Sequence, residues 1–137
     1  MNDNRNKINH NIPEILNSSK NIAIVGLSNK PDRISYRIGV YLKQAGYHIF
    51  PVNPNYDTVM DLKCHSTLDE IPEPIDIVNI FRKSQDVFPV VQDAIKINVK
   101  VIWMQLGIEN IEAAELALDA GLKVIMNRCI KIEHSRL

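Results

Sequence analysis

Residues 21–28 constrain the fold most strongly, because an apolar segment typical of a buried strand ends there at a glycine. The segment Asn-Ile-Ala-Ile-Val runs directly into Gly26, Leu27 and Ser28. A strand that turns at a glycine into a helix is how many α/β proteins present helix-terminal N–H groups to a phosphate. The sequence therefore predicts an α/β fold whose first loop is suited to an anionic ligand.

Strand and helix patterns alternate along the rest of the chain. Four further strands are predicted over residues 48–53, 75–81, 100–105 and 123–127, with Pro51 indicating an edge position for the second. Helices are predicted over 12–18 and 36–45, from Pro89 onward, and from Asn110 to Gly121, with Asn11, Ser35 and Asn110 as N-caps. This alternation favours a single Rossmann-like, doubly wound parallel sheet of about five strands in the order 3-2-1-4-5.

The length and composition fit one domain and restrict its partners. With 137 residues and 45% hydrophobic content, residues 12–137 can form one sheet covered by helices, while the polar residues 1–11 are predicted to be a mobile tail. Sixteen basic and sixteen acidic residues balance, so no global charge favours nucleic acid or a membrane. Cys64 and Cys129 form no CxxC pair, which favours a reducing cytoplasmic setting over disulfides or zinc. No apolar run is long enough to span a membrane, so neither a signal peptide nor a transmembrane helix is expected.

The loops that follow the strands supply the candidate binding residues, because open α/β sheets bind ligands beyond the carboxyl ends of their strands. These residues are Gly26, Leu27, Ser28, Lys30, Arg33, Ser35, Asn53, Pro54, Phe81, Arg82, Gln105, Gly107, Asn127, Arg128 and Cys129. No catalytic or metal-binding residue is assigned, since the four histidines lack ligand spacing and no GxSxG motif occurs.

The loop after the first strand lacks the usual dinucleotide fingerprint. Ser28 and Pro31 stand where the later glycines of GxGxxG would fall, and the second strand ends at Asn53 instead of an acid. NAD is therefore disfavoured. Lys30 and Arg33 favour a ligand with more phosphate, and they keep NADPH open because either cation can meet a 2′-phosphate.

Six segments in order resemble a known family. They are Val25-Gly-Leu-Ser28, Pro31-Asp-Arg-Ile-Ser-Tyr36, Pro51-Val-Asn-Pro54, Ile80-Phe-Arg82, Trp103-Met-Gln-Leu-Gly107 and Asn127-Arg-Cys129. Together, across about residues 12–135, they resemble the small stand-alone CoA-binding proteins, which are similar to the CoA-binding Rossmann domain of the succinyl-CoA synthetase α subunit.

The resemblance implies coenzyme A at the carboxyl ends of the strands. It implies that the 3′-phosphate-ADP end lies near residues 26–35 and Asn53, with the rest of the ligand along the strand ends. Asp61 and His65 depart from the glycine and tyrosine usual in the family, and Asn127 stands where an aspartate is common. The synthetase's phosphorylated histidine has no counterpart, so the resemblance does not extend to ligase activity.

Three functions follow from this reading. The leading one is a binding module that holds CoA or an acyl-CoA as a carrier, sensor or regulator without catalysis. The alternatives are an NADP(H)-type redox regulator and a small enzyme in which Arg82, Gln105 and Cys129 act on a CoA thioester. A homodimer and an unidentified protein partner stay open.

Several candidate residues also have plain structural explanations. Gly26 either lets a ligand approach or only makes a tight turn, and Arg82 meets either a phosphate or the nearby Asp86. Trp103 is expected to pack in the core. Cys129 is either an inert cysteine or a thiol that forms a mixed disulfide with CoA.

Overall fold

Five apolar segments of four or five residues form one parallel sheet in a computed structural model that describes residues 4–137. The strands are β1 (Asn21–Val25), β2 (His48–Val52), β3 (Thr58–Val59), β4 (Leu62–Lys63), β5 (Ile77–Ile80), β6 (Val101–Met104) and β7 (Lys123–Met126). The helices are α1 (Ile12–Ser18), α2 (Ile34–Gln44), α3 (Val87–Lys96), α4 (Ile111–Asp119) and α5 (Ile130–Ser135), with 3₁₀ turns at Asn4–Lys7, Leu68–Glu70 and Ser84–Asp86. The predicted Rossmann-like α/β class is confirmed.

The order of strands in the sheet is β2-β1-β5-β6-β7, which differs from the predicted order. The third predicted strand, β5, lies between β1 and β6 and not outside β2. His65 occupies the outer place instead: its N–H donates to Pro51 O at 2.9 Å and its carbonyl accepts from Asn53 N at 2.9 Å. The place outside β2, which the predicted order gives to a strand, is therefore taken by a single residue. Pro51 lies on the edge strand of the sheet, as predicted.

Helices cover both faces of the sheet because its strands are apolar on both sides. On one face α1, α2 and α5 pack on a core that includes Ile24, Leu42 and Trp103. On the other face α3 and α4 pack on a core that includes Val25 and Met104. The connection from β1 crosses one face and the connection from β5 crosses the other, so the topological switch point lies between these two strands.

The predicted helix ends are partly right. Asn110 caps α4 through a hydrogen bond from Ala113 N to its side chain at 2.9 Å. Ser35 does not cap α2, because the helix begins one residue earlier and Ser35 lies inside its first turn. Asn11 precedes α1 in a left-handed conformation (φ 60°) and makes no capping bond with its side chain.

The predicted tail of residues 1–11 contains a docked segment. Asn9 N donates to Val124 O at 2.9 Å, and the Asn9 side-chain amide pairs with Met126 N (2.7 Å) and Met126 O (3.1 Å). Asn9, within the segment predicted to be a mobile tail, therefore lies on the free edge of β7. Residues 1–3 of the predicted tail lie outside the described residues.

Candidate functional site

Five predicted site residues form one row across the carboxyl ends of the strands. Each directly follows the last residue of a strand, and the last residues of neighbouring strands are paired with each other. In sheet order the five residues are Asn53, Gly26, Phe81, Gln105 and Asn127. Backbone bonds continue the ladder into this row, from Gly26 N to Val52 O and from Phe81 N to Val25 O, both 2.8 Å. The rim predicted from the strand ends is therefore present.

An open cleft of about 400 Å³ lies at the switch point of this row. It is lined by Gly26, Ser28, Lys30, Arg33, Ile34, Ser35, Tyr56 and Phe81. Ile34 and Tyr56 are not among the individual candidate binding residues, but they lie in the loops after β1 and β2 that are predicted to line the rim.

Gly26 is required by the packing of the loop itself. Its φ is +90°, and a Cβ at this position would lie 2.3 Å from the carbonyl oxygen of Phe81. Real Cβ atoms do not come that close, so any side chain here would push β1 and β5 apart. Gly26 was expected either to let a ligand approach or to make a tight turn. In the structure, the group that lies close to Gly26 is the backbone carbonyl of Phe81.

Hydrogen bonds within the loop fix its shape. Ser28 N donates to Ser35 Oγ and Lys30 N donates to Ser28 Oγ, both at 3.0 Å. Asn53 Nδ2 donates to Leu27 O at 3.2 Å and joins this loop to the end of β2. Because the Leu27 side chain is fully buried, this residue supports the loop from below.

Two cations that line the cleft, Lys30 and Arg33, and a third directly after Phe81, Arg82, have no acidic partner among residues 4–137. Lys30 and Arg33 are exposed and Arg82 is half-buried, and none of the three makes an ion pair or a side-chain hydrogen bond within the described chain. Arg82 therefore does not pair with Asp86. No side chain caps the amino end of α2, whose free N–H groups and dipole favour an anion. The arrangement suits a phosphate group.

The loops after β6 and β7 are cross-linked to each other. Asn127, at a left-handed φ of 59°, accepts from Gly107 N at 2.7 Å and donates to Glu109 Oε1 at 3.1 Å. Arg128 donates to the carbonyl of Asn127 at 2.9 Å, and its own carbonyl accepts from Trp103 Nε1 at 2.9 Å. Trp103 is fully buried, which confirms its predicted place in the core.

The two cysteines differ in environment. Cys129 is half-buried at the start of α5, whereas Cys64 is buried and donates to Asn53 O at 3.4 Å. Burial raises the pKa of the Cys64 thiol, and the charge of Asp57 adds to this effect against the hydrogen bond with Asn53. Cys64 is therefore a protonated packing residue near neutral pH. Pro54, the remaining predicted residue, is exposed beside Asn53.

Asp61 and Met60 form the tip of the β3–β4 hairpin. Both have positive φ, at 60° and 57°, which is the geometry of a two-residue turn that usually favours glycine. Aspartate is among the residues that tolerate this left-handed conformation.

The chain belongs to the CoA-binding domain family, whose model matches residues 20–135. It is 44% identical to the uncharacterized protein YneT of Bacillus subtilis (strain 168), over 90% of this chain and 92% of that protein. A hypothetical protein from Pyrococcus horikoshii OT3 has a solved structure with a TM-score of 0.90 and 42% identity, and the match covers 92% of this chain and 89% of that one. The family resemblance seen in the sequence is confirmed.

CoA ligases contain a related region. The ADP-forming acetate–CoA ligase II of Archaeoglobus fulgidus is 34% identical over 80 residues, which are 56% of this chain and 12% of the ligase. The chain therefore corresponds to a small part of such ligases.

Among residues 4–137, no three His, Cys, Asp or Glu side chains are grouped so as to hold a metal ion. In the same part of the chain, no helix is both long enough and apolar enough to cross a membrane.

Proposed function

We propose that this protein binds coenzyme A or an acyl-CoA non-covalently at the carboxyl ends of its strands, as a carrier, sensor or regulatory module. The observation that carries the proposal is the pair of unpartnered cations, Lys30 and Arg33, beside the uncapped amino end of α2 in an open cleft. Membership in the CoA-binding domain family supports CoA as the ligand.

The phosphates of CoA are the part that this cleft suits best. Charge-assisted hydrogen bonds from a lysine or an arginine to phosphate are about twice as strong as neutral ones. Lys30 and Arg33 meet the 3′-phosphate-ADP end, and Arg82, directly after Phe81, adds a third cation. The pantetheine arm then runs along the row toward Gln105. No catalytic residue is needed for this role.

Thermal unfolding with a panel of ligands tests the proposal. At a CoA concentration 100 times Kd, stabilisation is about 2.7 kcal/mol, which raises the Tm of such a domain by several degrees. The panel holds CoA, acetyl-CoA, dephospho-CoA, ATP and NADPH. We expect CoA and acetyl-CoA to give the largest shifts and dephospho-CoA a smaller one. An unchanged Tm with both CoA and acetyl-CoA would overturn the proposal, and a larger shift with NADPH would favour a redox regulator.

A further inference from the structure

A buried pair of amide side chains lies just below the rim. Asn79, in β5, is fully buried, and Gln105, directly after β6, is only 4% exposed. Asn79 Nδ2 donates to Gln105 Oε1 at 3.3 Å. Amides in an apolar core lower stability unless they are well paired, so a pair in this place calls for an explanation.

The orientation of the Gln105 amide is fixed by the backbone. Ile130 N also lies 3.3 Å from Gln105 Oε1, and a backbone N–H can only donate. The atom that it meets must therefore be the oxygen of Gln105, and Asn79 must turn its NH₂ group toward that same oxygen. Asn79 Oδ1 is consequently left buried without a donor.

This arrangement sends the Nε2 group of Gln105 outward. Nothing in residues 4–137 accepts a hydrogen bond from Nε2. In the described chain the buried side-chain polar atoms without a partner are His65 Nδ1 and Asn79 Oδ1, and Nε2 is not one of them. The small exposed part of Gln105 therefore includes Nε2, a hydrogen-bond donor held at the rim.

The surroundings of Nε2 suit a neutral acceptor. Gln105 follows β6, the strand next to the one that ends at Phe81, and neighbouring strands lie about 4.8 Å apart. The unpaired cations Lys30, Arg33 and Arg82 belong to the loops after β1 and β5. Arg128, in the loop after β7 on the other side of β6, is already engaged by Glu133 at 4.0 Å and by the Asn127 carbonyl. A fixed, neutral amide donor suits a carbonyl oxygen here.

We infer that Gln105 Nε2 donates a hydrogen bond to a carbonyl oxygen of the ligand, in the pantetheine arm or in the acyl thioester. This inference rests on the proposed function. Asn79 and Ile130 N act as positioning groups, because they hold the inner oxygen of Gln105 and so aim its NH₂ group. Gln105 thereby distinguishes a ligand with a pantetheine arm from a bare nucleotide.

The variant Gln105→Glu isolates this donor. A glutamate keeps an inner oxygen for Asn79 Nδ2 and Ile130 N but replaces the outward NH₂ with an acceptor. The control Gln85→Glu adds the same charge at an exposed position of the 3₁₀ turn after β5. Calorimetry would measure the affinity of the wild type and both variants for CoA, acetyl-CoA and adenosine 3′,5′-bisphosphate, which has no pantetheine arm.

We expect Gln105→Glu to weaken acetyl-CoA relative to the bisphosphate by about tenfold, whereas Gln85→Glu leaves that ratio unchanged. An equal loss for CoA and acetyl-CoA assigns the bond to a pantetheine carbonyl, and a larger loss for acetyl-CoA assigns it to the thioester. If the wild type binds acetyl-CoA and the affinities for CoA and acetyl-CoA relative to the bisphosphate are both unchanged in Gln105→Glu, the inference is overturned while the proposed function stands. If the wild type binds neither CoA nor acetyl-CoA, both are overturned.

A second measurement does not depend on the variant's folding. The side-chain amide signal of Gln105 in an NMR spectrum of the wild type should shift on addition of acetyl-CoA and stay in place on addition of the bisphosphate. A signal that stays in place with both CoA and acetyl-CoA at saturation would overturn the inference.

Discussion

Charged side chains have partners within the chain at one end of the sheet and lack them at the other. At the carboxyl ends, Lys30, Arg33 and Arg82 have no acidic partner within the described chain. At the amino ends, Asp76 accepts hydrogen bonds from Lys20 N at 2.9 Å and Asn21 N at 3.0 Å, and it forms an ion pair with Lys100 at 3.4 Å. Both ends border open clefts of similar volume, about 400 and 480 Å³.

The difference separates stability from binding. Asp76 ties β1, β5 and β6 together, because its carbonyl also accepts from Val101 N at 2.9 Å. Because the charge of Asp76 is compensated by these partners, the carboxylate holds the strands in place and has little capacity left to bind a ligand. Unpaired cations at the other end contribute little to stability, and they are the groups that an anionic ligand can use. The size of a cleft alone therefore does not identify the binding end.

The largest effect is expected where the binding loop meets the sheet, in Gly26→Ala. Its Cβ would overlap the Phe81 carbonyl, so we expect a loss of about 3 kcal/mol or more in the free energy of unfolding, measured by denaturant titration. Gly107→Ala is the matched control, since Gly107 has a φ of +87° but open space around it, and it should lose about 1 kcal/mol. Equal losses in the two variants would contradict the packing argument.

Arg33→Ala should distinguish the two ends of the sheet most clearly through its effect on the affinity for CoA. Removal of a charge-assisted bond to phosphate is expected to weaken CoA binding by about 1.5–3 kcal/mol, or one to two decades, with little change in stability. The effect on dephospho-CoA should be smaller if Arg33 meets the 3′-phosphate. Lys43→Ala, at the exposed far end of α2, serves as the control and should leave the affinity unchanged. Calorimetry decides between these outcomes.

Asp76→Asn should show the reverse pattern, with lower stability and unchanged affinity. Burial by itself raises the pKa of Asp76, but the N–H groups of Asn21 and Lys20 and the charge of Lys100 outweigh it and lower the pKa below 3.8. A carboxylate with a lowered pKa in the folded state stabilises the fold above the unfolded value and loses this contribution as pH falls. We expect a deficit of about 1.5 kcal/mol at pH 7.

Unfolding measured across pH tests the same assignment. The deficit of Asp76→Asn relative to the wild type should shrink as the pH drops below about 4. A deficit that stays constant down to pH 2 would show that the charge of Asp76 is not its source.

The smallest effect is expected for Asn127→Ala. This variant tests whether CoA contacts the whole rim or only part of it. Asn127 lies on the rim, but its side-chain amide is already hydrogen-bonded through its oxygen to Gly107 and through its nitrogen to Glu109. We expect about 1 kcal/mol less stability, and an affinity for CoA within a factor of about three of the wild type. A tenfold loss of affinity without a loss of stability would place Asn127 among the binding residues.

The sequence was enough to predict the fold class and the rim. Strands with apolar residues on both faces, and end signals such as Asn110 and Gly121, act locally, so they can be recognised without the rest of the chain. The order of strands could not be recognised in this way, because the place beside β2 is taken by one residue, His65, which has no strand pattern of its own. The docking of Asn9 on β7 likewise joins residues more than 100 positions apart.

Partner assignments within the site were beyond the sequence for a related reason. Ser35 is as good a helix cap as it is an acceptor for Ser28 N, and only the start of α2 at Ile34 decides between them. Asn79 carries no signal at all, since one polar residue in an apolar strand does not reveal that it faces Gln105.

His65 and Asn9 also have a consequence for self-association. An unpaired edge strand is a template for another chain, and proteins commonly block such edges. Here each outer strand is closed by a single residue, His65 on β2 and Asn9 on β7, and the blocked β2 also contains Pro51, which has no N–H to offer. A second copy of the chain would have to displace one of these residues before it could extend the sheet, so a homodimer is expected to form through helices or loops and not by strand addition.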